Sequence, residues 1–326
     1  MIDDQAAKDA VLCTELFFDS TDGQTKIHAL KWEPAGDAAQ EPVGIVQIAH
    51  GMVEHVERYD DFARCLAANG YVVCAADHIG HGESVSAHEC RGELPENGAQ
   101  VMVADVHSLR TMMQSDYPAQ TPYYLFGHSM GSFVVRSYLA RFGRGLAGAI
   151  ICGTGQQPVA ASKFAGALSR AIGRRKGFEY RSKLVDNLAM GAYAKAVKDA
   201  RTPFDWLNTD PERVDEYIAD PACGMMFSVG GYASLTDLTA EVAGKQCVER
   251  IPSGLPVLFI AGAEDPVGDC GKGVLAAAQA MKQYSQALVE TKIYDGMRHE
   301  ILNEPRRAEV YADVLAWLAR NGGRDE

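Results

Sequence analysis

Short runs of apolar residues recur along this chain and alternate with longer segments in which apolar positions repeat every three or four residues. The short runs predict strands at residues 14–18, 26–32, 43–49, 71–76, 123–126, 149–152, 257–261 and 288–294. The longer segments predict helices at residues 59–69, 100–115, 130–142, 273–286 and 306–320. Because buried parallel strands are apolar on both faces, this alternation indicates an α/β fold with a mostly parallel sheet between two layers of helices.

The first two predicted strands differ from the others, since only a short polar segment around Asp22 and Gly23 separates them. An Asp-Gly pair favours the backbone conformation of a hairpin turn. We therefore expect an antiparallel edge at the start of the sheet.

The alternation stops between about residue 155 and residue 232, where helical patterns and aromatic residues replace the buried-strand runs. This break predicts a helical insertion. The expected organisation is a first part of the core at residues 1–155, a helical cap at residues 156–235 and a second part of the core at residues 236–326.

The net charge of the chain argues against one class of binding partner. Its 326 residues have a formal net charge of −12, and an acidic surface repels the phosphate backbone of nucleic acids, so we expect no nucleic-acid partner. One cluster in the predicted cap is basic and consists of Arg170, Arg174, Arg175, Lys176, Arg181 and Lys183. We interpret this cluster as a solvated helix face, and the alternative is a transient contact with a membrane surface.

The eight cysteines are scattered, and no two of them have the spacing of a zinc or redox motif. Cys74 and Cys152 lie in apolar runs, which is typical of buried free thiols in a reducing compartment. The first ten residues lack the apolar stretch of a signal peptide, and no apolar run approaches the ~18 residues that span a bilayer. These features predict a cytoplasmic protein and leave its oligomeric state open.

The predicted strand at residues 123–126 leads directly into Gly127-His128-Ser129-Met130-Gly131, and a predicted helix follows. Glycines two positions on either side of a serine let the chain turn sharply between a strand and a helix. The serine side chain then stands clear at the carboxyl end of the sheet, and the positive end of the helix points at it. This context predicts Ser129 as a catalytic nucleophile.

Another strand end carries His50, Gly51 and Met52, directly after the apolar run at residues 43–49. In folds with such a serine turn, this position supplies one backbone N–H of an oxyanion hole, and the residue after the nucleophile supplies the other. Two fixed donors stabilise the negative charge of a tetrahedral intermediate. We expect the N–H groups of Met52 and Met130 to form this hole.

An aspartate and a histidine follow the last two predicted strands. Asp265 comes shortly after residues 257–261, and His299 comes after residues 288–294, so the chain order is Ser, Asp, His. In this arrangement His299 accepts the proton of Ser129 and returns it to the leaving group, while Asp265 orients the imidazole.

Two other carboxylates, those of Asp269 and Asp295, also follow these strands. Asp265 is the favoured acid because Pro266 restrains the backbone beside it, whereas Asp269 lies in a freer part of the loop. Asp295 follows the last strand directly, and we expect it to brace the loop.

Three histidines, His78, His81 and His88, lie on or near the loop after the fourth predicted strand and offer an alternative metal cluster. They have no tight ligand spacing with a cysteine or glutamate. We therefore expect neither a metal nor a cofactor.

Several spaced motifs together resemble one family. The chain contains His50-Gly51-Met52-Val53-Glu54-His55, then Arg58-Tyr59, and at residues 77–84 Asp-His-Ile-Gly-His-Gly-Glu-Ser. With the serine turn, Asp265 and His299, these segments closely resemble monoacylglycerol lipases and related bacterial lysophospholipase-like α/β-hydrolases. The resemblance covers roughly residues 14–155 and 236–320.

This resemblance implies an α/β-hydrolase fold with an eight-stranded, mostly parallel sheet, helices on both faces and a helical cap. It implies ester hydrolysis on single-chain lipids without a cofactor, with Ser129, Asp265 and His299 as the triad and Met52 and Met130 as oxyanion donors. The motif residues Glu54, His55 and Arg58 are expected to brace the loop.

The predicted cap offers flexible methionines and large aromatic rings, which suit an acyl chain. The candidates for substrate binding are Phe204, Trp206, Met225, Met226 and Phe227. The alternative is that these side chains only pack the cap onto the core.

The expected function is hydrolysis of monoacylglycerol-like or lysophospholipid-like esters through an acyl-serine intermediate. A broad short-chain carboxylesterase stays open, and so does an aminopeptidase of the same fold, whose substrate ammonium needs cap carboxylates such as Glu212, Asp215, Glu216 and Asp220. A non-catalytic ligand-binding protein is a further alternative, but it has no need of a complete set of serine, aspartate and histidine.

Overall fold

The computed structural model describes residues 11–35 and 41–322. Its centre is one eight-stranded sheet in the order β1-β2-β4-β3-β5-β6-β7-β8. The strands are β1 (Val11–Asp19), β2 (Lys26–Pro34), β3 (Gly44–Ala49), β4 (Tyr71–Ala76), β5 (Tyr123–His128), β6 (Gly148–Cys152), β7 (Pro256–Gly262) and β8 (Leu288–Tyr294).

Strand β2 pairs antiparallel with both β1 and β4, and the pairs from β4 onward across the sheet are parallel. The predicted mostly parallel sheet with an antiparallel edge is therefore confirmed. In the turn between β1 and β2, Gly23 has a φ of 75°. The Asp22 carboxylate accepts hydrogen bonds from the N–H groups of Gln24 and Thr25.

Helices cover both faces of this sheet. They are α1 (Asp60–Ala68), α2 (Gly98–Ser115), α3 (Met130–Phe142), α4 (Val159–Lys176), α5 (Lys183–Met190), α6 (Pro211–Ala219), α7 (Val229–Ala243), α8 (Lys245–Val248), α9 (Lys272–Ser285) and α10 (Arg307–Arg320). The five helices predicted from periodicity correspond to α1, α2, α3, α9 and α10. None of the described helices combines the length and apolarity that crossing a membrane requires.

The alternation of side chains along β5 shows how the two core layers form. Tyr123 and Leu125 belong to the layer that contains apolar residues of α2, α3 and α9, whereas Tyr124 and Phe126 belong to the layer beneath α1 and α10. Full burial of each large apolar side chain is worth roughly 1.5–3 kcal/mol. Because both faces are buried, the carboxyl ends of the strands are held in a fixed arrangement.

Between β6 and β7 the chain leaves the sheet and forms α4 to α8. Helix α4 packs on α7, which in turn packs on α2 and α3. A separate apolar cluster consists of Trp206, Leu207, Tyr217, Cys223 and Val267. The division of the chain at residues 155 and 235 stays a prediction, and we refer below to α4, α5, α6 and the segments joining them up to residue 228 as the cap.

Candidate active site

Ser129 lies between β5 and α3 in a conformation that residues other than glycine rarely adopt, with φ of 52° and ψ of −120°. Its N–H donates a hydrogen bond of 3.0 Å to the Cys152 carbonyl, which ties the turn to the end of β6. A Cβ atom on Gly131 would lie 2.0 Å from the Ala49 carbonyl oxygen, and one on Gly127 would lie 2.4 Å from the Gly131 carbonyl oxygen. The two glycines therefore permit the close approach that this sharp turn requires.

Asp265 and His299 are in direct contact. Asp265 Oδ2 lies 2.9 Å from His299 Nδ1, and Asp265 Oδ1 accepts a hydrogen bond of 2.9 Å from the Val267 N–H. The aspartate is fully buried, and the histidine is 2% exposed. This contact places the imidazole proton on Nδ1 and leaves Nε2 able to act as a base. Asp269 and Asp295 are exposed, and within the described residues neither is hydrogen bonded to His299.

The two predicted oxyanion donors line one cavity together with Ser129 and His299. Within the described residues, the Met52 N–H donates no hydrogen bond. The Met130 N–H belongs to the first turn of α3, where a helix offers its N–H groups no internal partner. Both groups are thus free to bind a developing negative charge.

The buried carboxylate of Glu54 holds the oxyanion loop in place. Glu54 Oε1 accepts hydrogen bonds from the Gly51 N–H at 2.5 Å and from the Tyr59 hydroxyl at 2.8 Å. Glu54 Oε2 accepts from Arg58 Nε at 3.2 Å, and the Arg58 guanidinium also donates to Glu300 at 2.6 Å. One carboxylate therefore joins the loop of Met52, through Arg58, to the residue that follows His299.

His128 connects the same carboxylate to the serine turn. His128 Nδ1 lies 3.4 Å from Glu54 Oε1, and His128 Nε2 lies 3.3 Å from the His299 carbonyl oxygen. Both neighbouring atoms are hydrogen-bond acceptors. The ring can donate to both of them only as an imidazolium, with a proton on each nitrogen. Burial alone would lower the pKa of His128, but the hydrogen bond and charge of Glu54 raise it. Burial opposes ionisation of Glu54 as well, yet His128 and Arg58 hold its pKa well below the ordinary value.

Three further histidines pack beneath the oxyanion loop. The ring centroid of His50 lies 4.3 Å from that of His78 and 5.2 Å from that of His81. Burial lowers the pKa of all three, that of His81 to about 3, so they are neutral at physiological pH. His88 is exposed and contacts Glu83. The alternative metal cluster of His78, His81 and His88 is therefore not assembled among the described residues.

A cavity of about 940 Å³ opens above Ser129, between the sheet and the cap. Four of the predicted substrate contacts, Phe204, Trp206, Met225 and Met226, line this cavity. The ring of Trp206 lies 5.1 Å from that of His299. Lining residues that sequence reasoning did not single out come mainly from α4 and α5 and include Phe164, Leu168, Val185, Leu188 and Met190.

The structure corrects the prediction for Phe227. This side chain is 1% exposed and does not line the cavity. Its ring packs against His81 and Tyr232 in the core instead. Three consecutive apolar residues, Met225, Met226 and Phe227, cannot all point the same way, and the last of them points inward.

Hydrogen bonds fasten the cap to both loops of the site. Arg298 Nη1 donates to the Asp205 carbonyl at 2.7 Å, and the Glu300 N–H donates to the Leu207 carbonyl at 2.8 Å. These bonds hold Trp206 against His299. On the opposite side, the Val53 carbonyl accepts hydrogen bonds from Gly224 and Tyr217 of the cap.

The chain is similar in sequence and fold to known hydrolases. Residues 40–306 match the family described as Hydrolase_4, serine aminopeptidase, S33. The chain is 30% identical to the monoacylglycerol lipase of Mycolicibacterium smegmatis, over 88% of this chain and 90% of that protein. It is 26% identical to the human monoglyceride lipase, over 89% and 85% of the two chains. Among solved structures, a highly thermostable carboxyl esterase from Bacillus coagulans in complex with glycerol has a TM-score of 0.86 at 35% identity, covering 95% of this chain and 99% of that one.

Proposed function

We propose that this chain, which belongs to the Hydrolase_4 family, serine aminopeptidase S33, hydrolyses esters of single-chain lipids, either monoacylglycerols or lysophospholipids. The proposal is supported by its similarity to monoacylglycerol lipases. The chain is a carboxylic ester hydrolase of the α/β-hydrolase fold, and the expected resemblance to monoacylglycerol lipases is confirmed. The observation that supports a lipid substrate is the cavity above Ser129, which is lined mainly by apolar side chains of the cap.

In the proposed reaction, Ser129 Oγ attacks the ester carbonyl carbon while His299 Nε2 takes the hydroxyl proton. The N–H groups of Met52 and Met130 bind the oxyanion, and Asp265 stabilises the imidazolium. His299 then gives its proton to the departing alcohol. A water molecule releases the fatty acid from Ser129 by the same route, with His299 again acting as base and then acid.

The size and lining of the cavity favour a long acyl chain over a small acid. Its volume of about 940 Å³ is near the upper end of the range of roughly 300–1,000 Å³ that is typical of ligand pockets. Each methylene group of the acyl chain that leaves water adds about 0.8 kcal/mol to the free energy of binding. We therefore expect the specificity constant to rise with acyl length until the cavity is filled.

The structure gives less support to an aminopeptidase, because the carboxylates considered for binding a substrate ammonium lie outside the cavity. Of the carboxylates considered for a substrate ammonium, Asp215 pairs with Arg201, Glu216 with Arg213, and Asp220 with His55. Neither these three nor Glu212 lines the cavity.

A substrate panel tests the proposal. One preparation is assayed on monoacylglycerols and lysophospholipids of increasing chain length, on short nitrophenyl esters and on aminoacyl amides, with Ser129→Ala as the blank. We expect the highest kcat/KM on long-chain monoesters. A preference for short esters would indicate a broad carboxylesterase, and faster release from amides would indicate an aminopeptidase.

We also infer a transient contact between the cap and a lipid surface. Phe164, Leu184 and Leu188 project from α4 and α5 with 72%, 58% and 63% of their surface exposed. Phe164 and Leu188 also line the cavity, so a surface bound there would deliver its lipid directly. The basic cluster contributes less than its size suggests, since Arg170 pairs with Asp237 and with Glu96.

Sedimentation with phosphatidylcholine vesicles, with and without anionic lipid, tests this contact. Replacing Phe164 and Leu188 with serine should abolish binding, whereas Leu275→Ser, at an exposed position of α9, should not. Equal binding of all three proteins would refute the contact. If only anionic vesicles bind, and the serine variants bind them equally, the basic cluster carries the interaction instead.

A cytoplasmic location belongs to the same proposal, because all eight cysteines are free thiols in the structure. Protein isolated under conditions that trap thiols should react with eight equivalents of an alkylating reagent after denaturation. A smaller number would indicate disulfides and a different compartment.

A further inference from the structure

One group of side chains with metal-ligand chemistry lies outside the candidate active site, where the cap meets the oxyanion loop. Within the described residues, His55, Asp220 and Cys223 each present one ligand atom, and these three atoms lie within 4.8 Å of one another. His55 Nε2 faces Asp220 Oδ2 at 2.7 Å. His55 and Cys223 are each 8% exposed and Asp220 is half-buried, so the group is largely withdrawn from solvent.

We propose that this group binds a thiophilic divalent cation of the Zn²⁺ class and thereby ties the cap to the oxyanion loop. Thiolate, imidazole and carboxylate together form a ligand set that zinc accepts. Mg²⁺ and Ca²⁺ take oxygen ligands, so the sulfur and nitrogen atoms select against them. Zinc bonds of ~2.0–2.3 Å place tetrahedral ligand atoms about 3.3–3.6 Å apart, so shifts of about 1 Å bring the three atoms into position.

A second carboxylate stands behind the imidazole. His55 Nδ1 faces Glu57 Oε2 at 3.7 Å. In metal sites, such a carboxylate accepts the other ring N–H of a ligating histidine and fixes its orientation. This separation exceeds a hydrogen bond, so a shift of roughly 0.5–1 Å would let Glu57 accept the Nδ1 proton and leave His55 Nε2 free to bind the cation.

A small cavity of about 210 Å³ opens beside His55 and Asp220, and Cys223 lies outside its lining. It is lined by the acids Glu57, Asp77, Glu83 and Asp220, together with the bases His28, His55 and Arg91. A volume of this size holds a water molecule as the fourth zinc ligand. Asp77 is paired with His28 and Glu83 with Arg91, so Glu57 and Asp220 are the acids of this lining that favour a cation.

Binding replaces protons and changes no oxidation state. The thiol proton of Cys223 leaves to solvent, and the proton between His55 and Asp220 moves to Nδ1, beside Glu57. Affinity should therefore rise with pH. The bound cation would fix the turn at residues 220–223 next to Val53, whose carbonyl already accepts a hydrogen bond of 3.0 Å from the Gly224 N–H.

This site has no signature in the sequence, from which we expected no metal. His55 and Asp220 are 165 residues apart in the chain, and only the folding of the cap onto the oxyanion loop brings them together. The proposal does not depend on the substrate of the enzyme, and it assigns the cation no part in the reaction.

Cobalt provides the direct test, because a Co²⁺–thiolate bond absorbs in the near ultraviolet. Reduced protein freed of metals with a chelator is titrated with Co²⁺ and then with Zn²⁺. We expect one equivalent of Co²⁺ to give the thiolate band and one equivalent of Zn²⁺ to displace it. Hydrogen exchange of residues 217–224 should slow on addition of Zn²⁺.

Matched variants locate the site. Cys223→Ser should lose the band entirely, whereas Cys270→Ser, which removes an exposed thiol elsewhere, should keep it. Glu57→Gln should weaken Zn²⁺ binding by about tenfold or more. Should Cys223→Ser fail to fold, Asp220→Asn provides the same comparison at a half-buried position. A wild-type protein with no thiolate band at millimolar Co²⁺, or a band that survives in Cys223→Ser, would overturn the proposal.

Discussion

The loops at the carboxyl ends of the strands and the helices of the cap line the same cavity, but they are held in different ways. On the loop side, Glu54, Asp265 and His299 are each at most 5% exposed. Asp265 contacts His299 directly, and His128 connects Glu54 to the His299 carbonyl. On the cap side, Phe164 and Leu188 remain mostly exposed. The difference indicates that the loop side needs a fixed geometry for chemistry, whereas the cap needs apolar surface of about the right shape.

The largest expected effect is that of the nucleophile on the loop side. Ser129→Ala should lower kcat by on the order of 10⁶, because alanine has no oxygen that can form the acyl intermediate. Circular dichroism and the melting temperature should match those of the wild type, which separates lost chemistry from lost fold. Substantial activity in the folded variant would place the nucleophile elsewhere.

The next effect concerns the acid of the triad. Asp265→Asn should lower kcat by about 10³–10⁴, since an asparagine stabilises the wrong histidine tautomer. Asp269→Asn and Asp295→Asn are matched controls at exposed positions and should retain most activity. A crippled Asp269→Asn beside a mild Asp265→Asn would reverse the assignment and leave the fold unaffected.

A positioning role for Glu54 predicts a smaller loss. Glu54→Gln should lower kcat by about 10²-fold, because displacing a reacting group by about 1 Å costs this much. KM should change little, since Glu54 holds the loop rather than the acyl chain. Glu212→Gln changes an exposed acid that does not line the cavity and serves as the control. Equal losses in kcat and in affinity for long-chain substrates would assign Glu54 to general packing instead.

Substitutions in the cap should change the specificity for acyl length rather than the rate of the chemical step. Replacing Phe204 and Met225 with alanine should lower the ratio of kcat/KM on long-chain to acetyl esters by about tenfold, because apolar contact grows with the buried chain. Phe227→Ala is the informative contrast, since its side chain lies in the core. It should leave the ratio unchanged and lower the free energy of unfolding by about 3–5 kcal/mol.

The smallest expected effect is a pH dependence of stability that originates on the loop side. Burial lowers the pKa of His50, His78 and His81, so at these three positions the unfolded chain binds more protons than the folded one below about pH 6.5. The stability that these three residues contribute should therefore fall as the pH drops from about 6.5 toward the pKa of His81 at about 3, whereas His28 and His128, whose pKa is raised, act in the opposite direction. Each histidine contributes at most about 1.4 kcal/mol per pH unit.

Urea unfolding between pH 7 and pH 5 measures this dependence. His81→Gln removes one titrating group and should reduce the slope, whereas the exposed His88→Gln should not. The cap has no histidine between residues 159 and 228, so it does not contribute to this pH dependence through histidines. An unchanged slope in His81→Gln would mean that other groups govern the response to acid.

The same two regions differ in how far the sequence determines them. The strands, the sharp turn at Ser129 and the positions of Asp265 and His299 after the last two strands follow from local patterns, because each element is defined by a few consecutive residues. The link between Glu54 and His128 joins residues 74 positions apart, and no spacing rule announces it. In the cap, apolar residues were recognisable as candidates, but the direction of each side chain depends on packing, as the inward orientation of Phe227 shows.

Labelling with a fluorophosphonate probe tests the central claim most directly, since such probes react with an activated serine and need no knowledge of the substrate. Mass spectrometry of the digested wild-type protein should find one adduct per chain, on Ser129. Ser129→Ala should stay unlabelled, and Asp265→Asn should react far more slowly. An adduct on another serine, or a wild-type protein that does not react at all, would contradict the account.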